Sequence, residues 1–149
     1  MKPRQGKLKL NTDGCSLNNP GDSGAGGLLC DEQGNLIFAY STKLGNSSSI
    51  AIEIKAILQG LKICQERRIK GVIVETDSLM VVQWFSSDKC GVWYLEEFWE
   101  EILRLMIEGG HSIQHVFREG NAPADFLAKH GAKGHDRVWH NTSQLSTKL

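Results

Sequence analysis

The chain has 149 residues, 40% of them hydrophobic and 23% charged, and 17 basic residues balance 17 acidic ones. That length suits one domain with a proper core, and that composition excludes a disordered chain. The neutral balance argues against strong stand-alone binding to a phosphate backbone, no apolar run reaches the length of a membrane span, and Met1-Lys2-Pro3-Arg4-Gln5 lacks the apolar core of a signal peptide.

Leu8 and Leu10 alternate with Lys7, Lys9 and Asn11, which predicts a first strand over residues 7–13 that ends on Asp13. The glycine-rich run Asn19 to Gly27 allows a tight return into a second strand over residues 24–30. Asp31-Glu32-Gln33-Gly34 reads as a hairpin turn into a third strand, from Asn35 to about Lys43. Ser48 or Ser49 is the candidate N-cap of an amphipathic helix, in which Ile50, Ile54, Ile57, Leu58 and Leu61 recur at helical spacing to about Glu66. Glu53 lies on the edge of that apolar stripe, an unusual place for an unpaired carboxylate.

Val72-Ile73-Val74 is a short continuous apolar run, the pattern of a strand covered on both faces, and it leads into Glu75-Thr76-Asp77-Ser78. Ser78 can cap a short helix carrying Val81, Val82, Trp84 and Phe85, and Lys89-Cys90-Gly91 breaks it. A further helix is marked by Leu95, Phe98, Ile102 and Leu105 and closed by Gly109-Gly110. Alternation from His111 to Arg118 predicts a fifth strand, with His115 as a packed ring. A last helix starts with Asn121 as cap and Pro123 in its first turn, carries Asp125 near its N-terminus and runs to Gly131. The polar stretch 132–149 has no periodicity and is expected to be a flexible tail in which Trp139 has no assignable role.

Residues 1–6 are thus an extension, 7–131 a folded domain and 132–149 a tail. The order β-β-β-α-β-α-α-β-α implies an α/β fold, a mixed five-stranded sheet with helices packed on it. Cys15, Cys30, Cys64 and Cys90 are too widely spaced for a zinc site; Cys30 and Cys64 read as small buried hydrophobes, and an intracellular, reducing compartment fits, with nucleus and cytoplasm not distinguished. Trp84, Trp93 and Trp99 could stack on nucleic acid, but their spacing favours packing in the core or along a groove.

Asp13, Glu53, Asp77 and Asp125 come from two strands and two helices. Each has a plainer reading alone: a turn former, a solvated helix acid, a helix cap, and a first-turn acid favoured by the helix dipole. Four carboxylates brought together raise one another's pKa, and Mg²⁺, which prefers oxygen ligands, relieves that repulsion. Glu75 reads as a solvated or accessory acid.

Thr12-Asp13-Gly14-Cys15-Ser16 with Asn19-Pro20-Gly21, Glu53 within Ile52-Glu53-Ile54-Lys55-Ala56, Thr76-Asp77-Ser78, and Arg118 to Ala128 around Asp125 together resemble the four motifs of the ribonuclease H family. The resemblance covers residues 7–131 and is closest to compact plant domains derived from retroelement reverse transcriptases. It implies a ribonuclease H-like fold and a metal-dependent endonuclease that cuts the RNA strand of RNA–DNA hybrids. It further implies two Mg²⁺ ions, with Mn²⁺ as a substitute. Asp13 would bridge both ions, Glu53 and Asp77 would serve one and Asp125 the other, with Gly14 beside them.

Positions offered for the substrate are Gly14, Cys15, Ser16, Asn19, Ser48, Ser49, Arg118 and Asn121. Three departures stand out: Ser48-Ser49-Ile50 replaces an Asn pair frequent in the family, Arg118-Glu119-Gly120 replaces a loop that often carries a His, and Glu96, Glu97, Glu100 and Glu101 stand where relatives have a basic protrusion. An RNA–DNA hybrid is therefore the expected partner, aided by a further nucleic-acid-binding domain or a dimer partner. A catalytically weak domain of the same fold that binds nucleic acid or a protein is the alternative.

Overall fold

A computed structural model describes residues 7–17 and 22–140 of the chain. Among these residues six strands form one mixed sheet: β1 (Leu8–Ser16), β2 (Ser23–Cys30), β3 (Leu36–Gly45), β4 (Val72–Thr76), β5 (Ser112–His115) and β6 (Arg137–Trp139), in the order β5-β4-β1-β2-β3-β6. Four α-helices join them: α1 (Ser49–Glu66), α2 (Leu79–Ser87), α3 (Glu96–Gly109) and α4 (Ala122–Ala132). β1 runs antiparallel to β2 and parallel to β4, and β4 runs parallel to β5. The ribonuclease H-like α/β fold is therefore present, with one strand more than the five expected.

Local chemistry sets many of the boundaries. The Asp31 carboxylate accepts from the backbone N–H groups of Gln33 and Asn35 at 3.0 and 2.9 Å, and Gly34 takes a φ of +82°, closing the β2–β3 hairpin. Ser48 caps α1 by accepting from Ala51 N–H at 3.3 Å, and Ser78 caps α2 by accepting from Val81 N–H at 3.4 Å. Gly110, at φ +63°, ends α3 in the left-handed conformation.

The main core lies on one face of the sheet, where Leu10, Phe38, Tyr40 and Val74 meet Ile54, Ile57 and Leu61 of α1 and Trp99 and Ile102 of α3. Trp84 and Trp99 pack there edge to face, with centroids 5.7 Å apart. Helix α4 covers the opposite face. It sits close because β2 places glycines at 24 and 26 beneath it: a Cβ on Gly24 would lie 2.1 Å from the Ala132 nitrogen, and one on Gly26 would lie 2.3 Å from the Ala128 nitrogen. Those two glycines point one way and Gly27, facing the Tyr40 hydroxyl, points the other. The glycine run thus supplies backbone contact inside a strand as well as a turn.

Three expectations change. The strand expected over His111–Arg118 stops at His115, because its partner β4 ends at Thr76, which pairs with His115; Arg118–Asn121 instead form a 3-10 turn. The chain after Ala132 is not a frayed tail throughout: β6 pairs antiparallel with β3 and Trp139 is buried against Ala39 and Leu127, so tertiary packing orders a segment that has no period of its own. Trp93 is not a core residue, being 82% exposed. Residues 141–149 of the expected tail, and Asn19, lie outside the described residues.

Gly26→Ala is expected to lower the melting temperature by roughly 3–12 °C, the effect of about 1–3 kcal/mol of overpacking in a domain of this size. Gly120→Ala, with nothing within 4 Å of its added Cβ, is the control and stays within about 0.5 kcal/mol of the parent in the same thermal unfolding measurement.

Candidate metal centre

β1 and β4 lie side by side and parallel, with Thr12 opposite Thr76, so the chain delivers Asp13 and Asp77 at the same, C-terminal edge of the sheet. Helix α1 brings Glu53 to that edge. It comes this close because residue 14 is glycine: a Cβ there would lie 2.2 Å from Ile52 Cγ2 and 3.1 Å from Glu53 Oε1. The Gly14 N–H donates to Asp13 Oδ1 at 2.9 Å and to Glu53 Oε1 at 3.2 Å, holding the two carboxylates side by side. One oxygen from each of Asp13, Glu53 and Asp77 lies within 4.8 Å of the other two. Ser78, not Asp77, is the α2 cap, which leaves the Asp77 carboxylate to the cluster.

Asp125 enters from the other face of the sheet, on the first turn of α4, and lines the same cavity of about 310 Å³. Its carboxylate pairs with the Lys129 ammonium at 2.9 Å and also lies within hydrogen-bonding reach of the Asp13 carboxyl. Lys129 was not anticipated, although an acid followed four residues later by a lysine on one helix is a legible signal.

Burial above all pushes the Asp13 carboxyl up to about 7, with the charge of Asp77 and then of Asp125 adding to it and the Gly14 N–H opposing. Glu53 is pushed up to about 9, first by burial and then by Asp13 and Asp77. Glu53 Oε2 is buried without a hydrogen-bond partner, an arrangement that costs free energy unless a cation faces it. An orphaned carboxylate oxygen beside two further carboxylates fits a hard divalent cation. The Cys15 thiol at the same cavity is pushed up by burial and by Asp125, so it stays protonated and makes a poor ligand.

The other anticipated positions divide. Gly14, Cys15, Ser16, Ser49 and Arg118 line the cavity, and among the described residues Arg118 is the one cationic side chain in its wall. Ser48 is exposed beside it, capping α1, with its Oγ 3.2 Å from the Tyr94 hydroxyl. Asn121 is neither a side-chain cap nor available to a substrate. It is fully buried, donates to the Thr12 carbonyl at 2.9 Å and accepts from Asn11 Nδ2 at 3.2 Å, tying the start of α4 to β1. Sequence pattern did not reach that role because the partners lie more than a hundred positions away in the chain. Glu75 is buried rather than solvated, facing Lys9 and accepting from Gln114. His115 is half-buried edge to face with Phe117, in keeping with a packed ring.

A mixed sheet with acids at the ends of two adjacent parallel strands, and on a helix from each face, defines a ribonuclease H-like protein. The chain belongs to the reverse transcriptase-like family, whose pattern matches residues 11–131. LC11-RNase H1, solved in complex with an RNA/DNA hybrid, is 27% identical and superposes with a TM-score of 0.78 over 85% of this chain and 97% of that one. RNase H1 of the halophilic archaeon Halobacterium salinarum shares the fold at 22% identity, with a TM-score of 0.78 over 87% of this chain and all of that one. An Arabidopsis thaliana protein, At1g65750, whose name assigns it provisionally to ribonuclease H, is 32% identical over 133 residues; the match takes in 87% of this chain and spans 21% of the relative's length. No helix among the described residues is long and apolar enough to cross a membrane.

The raised carboxyls make a signed prediction for the metal-free protein. A carboxyl with a raised folded-state pKa binds its proton more tightly in the folded chain, so its contribution to stability is full below about pH 4 and is lost as pH rises through about 7 for Asp13 and about 9 for Glu53. With metal chelated, Glu53→Gln is therefore expected to gain on the parent as pH rises from about 5 to 9. By pH 8 the gap in melting temperature reaches roughly 3–8 °C, the shift made by about 1–2 kcal/mol. Added Mg²⁺ or Mn²⁺ narrows it by stabilising only the parent.

Proposed function

We propose that the chain is a metal-dependent endonuclease that hydrolyses the RNA strand of RNA–DNA hybrids, leaving a 3′-hydroxyl and a 5′-phosphate. The observation that carries this reading is the convergence of Asp13, Glu53 and Asp77 oxygens within 4.8 Å in a partly open cavity that Asp125 also lines. Asp13, Glu53 and Asp77 would hold one divalent ion, and Asp13 and Asp125 a second, with the Gly14 backbone adjoining. When bound, Mg²⁺ or Mn²⁺ supplies an activated water and charge stabilisation for an in-line displacement at phosphorus.

The chain's own residues do the rest. The Gly14 N–H fixes the mutual orientation of Asp13 and Glu53, so the acids are held before any ion arrives. Ile52 lines the cavity beside Gly14 and gives Glu53 an apolar neighbour there. Arg118 offers a charged contact to a substrate phosphate, and Ser16 and Ser49 offer hydroxyls suited to the sugar 2′-OH by which RNA differs from DNA. The resemblance to a ribonuclease H1 solved on a hybrid supports that substrate class.

One observation favours the alternative of a weakly active nucleic-acid-binding domain. The Lys129 ammonium, 2.9 Å from Asp125, already neutralises the acid that would serve the second ion.

Cleavage of an end-labelled RNA–DNA hybrid with Mg²⁺ or Mn²⁺, beside matched double-stranded RNA and DNA, tests the proposal. Cutting is expected in the RNA strand of the hybrid alone. Asp13→Asn is expected to slow it by roughly 10³-fold, the rate equivalent of several kcal/mol of lost charge stabilisation, with no loss of melting temperature. No cutting by the folded parent with either metal would leave the binding-domain reading in its place.

A further inference from the structure

Trp93 and Tyr94 form a 3-10 turn with Leu95 just before α3, and only Leu95 turns into the core. Trp93 is 82% exposed and Tyr94 50% exposed, a large apolar area to leave in water. The pair is not loosely placed. Its rings meet edge to face at 87° with centroids 5.9 Å apart, and the Tyr94 hydroxyl lies 3.2 Å from Ser48 Oγ at the N-cap of α1. The next residue, Ser49, lines the acid cavity, and Glu53 follows one turn along the same helix. The aromatic step is thus fixed to the rim of the candidate metal centre.

Its charge surroundings decide what it can hold. Glu96, Glu97 and Glu100, all exposed, follow at once on α3 and repel a phosphate backbone. Contact with nucleic acid here must therefore come from ring faces rather than ion pairs. Inside a duplex the faces of the bases are covered by their neighbours, whereas an unpaired base offers its face to an aromatic ring.

We infer that Trp93, oriented by Tyr94 and Ser48, is a stacking platform for an unpaired base where a single strand leaves the hybrid held at the acid cavity. The preferred substrate is then a hybrid with a single-stranded overhang rather than a blunt one. This rests on the nuclease-site reading above, and the controls separate the two.

The test uses the full chain carrying Asp13→Asn, so that the probe survives, with Mg²⁺ present. Fluorescence anisotropy gives dissociation constants for a labelled blunt RNA–DNA hybrid and for the same hybrid carrying a short oligothymidine overhang at each end in turn. One of the overhangs is expected to tighten binding by roughly five-fold or more, the effect of one stacked base, and to quench tryptophan fluorescence. Trp93→Ala removes that gain, Trp93→Phe keeps most of it, and both leave the blunt-hybrid affinity and the slope of log K against log salt unchanged.

An overhang gain that survives Trp93→Ala, or no gain at either end while the blunt hybrid still binds, overturns the platform and leaves the site reading standing. Failure to bind any hybrid overturns both. If Trp93→Ala instead abolishes a dimer seen by sedimentation and leaves the overhang gain intact, the pair is covered by a second copy of the chain and the platform is wrong.

Discussion

Gly14 has no side chain, so Ile52 and Glu53 occupy the space beside β1 that a Cβ would fill, while Gly24 and Gly26 let α4 press its backbone onto β2 from the other face. The cluster of acids depends on both approaches. Asp13 and Asp77 are brought together by two neighbouring strands alone, but Glu53 and Asp125 reach them only because a helix on each face sits closer than side chains would allow. Buried Asn121 locks the second approach, since its amide spans from the start of α4 to the Thr12 carbonyl, one residue from Asp13. Packing and chemistry are set by the same few positions.

That geometry carries an electrostatic cost which the protein only partly meets by itself. One backbone N–H serves two carboxylates, Lys129 neutralises Asp125 at the outer edge, and Glu53 Oε2 has no hydrogen-bond partner among the described residues. A fold that wanted stability alone would place an amide or an apolar group at position 53, where burial opposes charge. Strained charge concentrated at one place in a fold is a signature of a site rather than of a core.

Local rules made much of this legible in the sequence. Ser48 and Ser78 as caps, the Asp31–Gly34 turn and the helical recurrence through Leu61 each need only neighbours a few residues away. Asp13, Glu53 and Asp77 were legible because each interrupts an apolar pattern at the end of a strand or on a packing edge, whereas Asp125, a first-turn helix acid, stood out only through its motif. What escaped depends on distant partners. β6 is three residues long and is ordered by β3 and by the burial of Trp139, and β5 is cut short by the end of β4. Asn121 looks like a helix cap until its partners on β1 are seen. Gly24 and Gly26 fall in the expected second strand, but that they are glycines for the sake of close contact is plain only once a helix is found lying on them.

Trp93 shows the converse limit. Its spacing beside Leu95 suits a core, yet the turn that buries Leu95 sends Trp93 outward. This bears on how a chain of zero net charge could engage a polyanion. Among the described residues Arg118 is the cation that lines the cavity, and α3 carries glutamates directly after Tyr94 and Leu95 in the chain. Counterion release scales with the number of phosphates neutralised, so such a surface gains little from it. Stacking and hydroxyl contacts do not depend on that term, and they favour RNA ends and junctions over uninterrupted duplex. On the proposed reading, the balance of forces that makes the acid cluster expensive to keep would also narrow what it acts on, from any phosphate backbone to strands that present sugar hydroxyls and open bases.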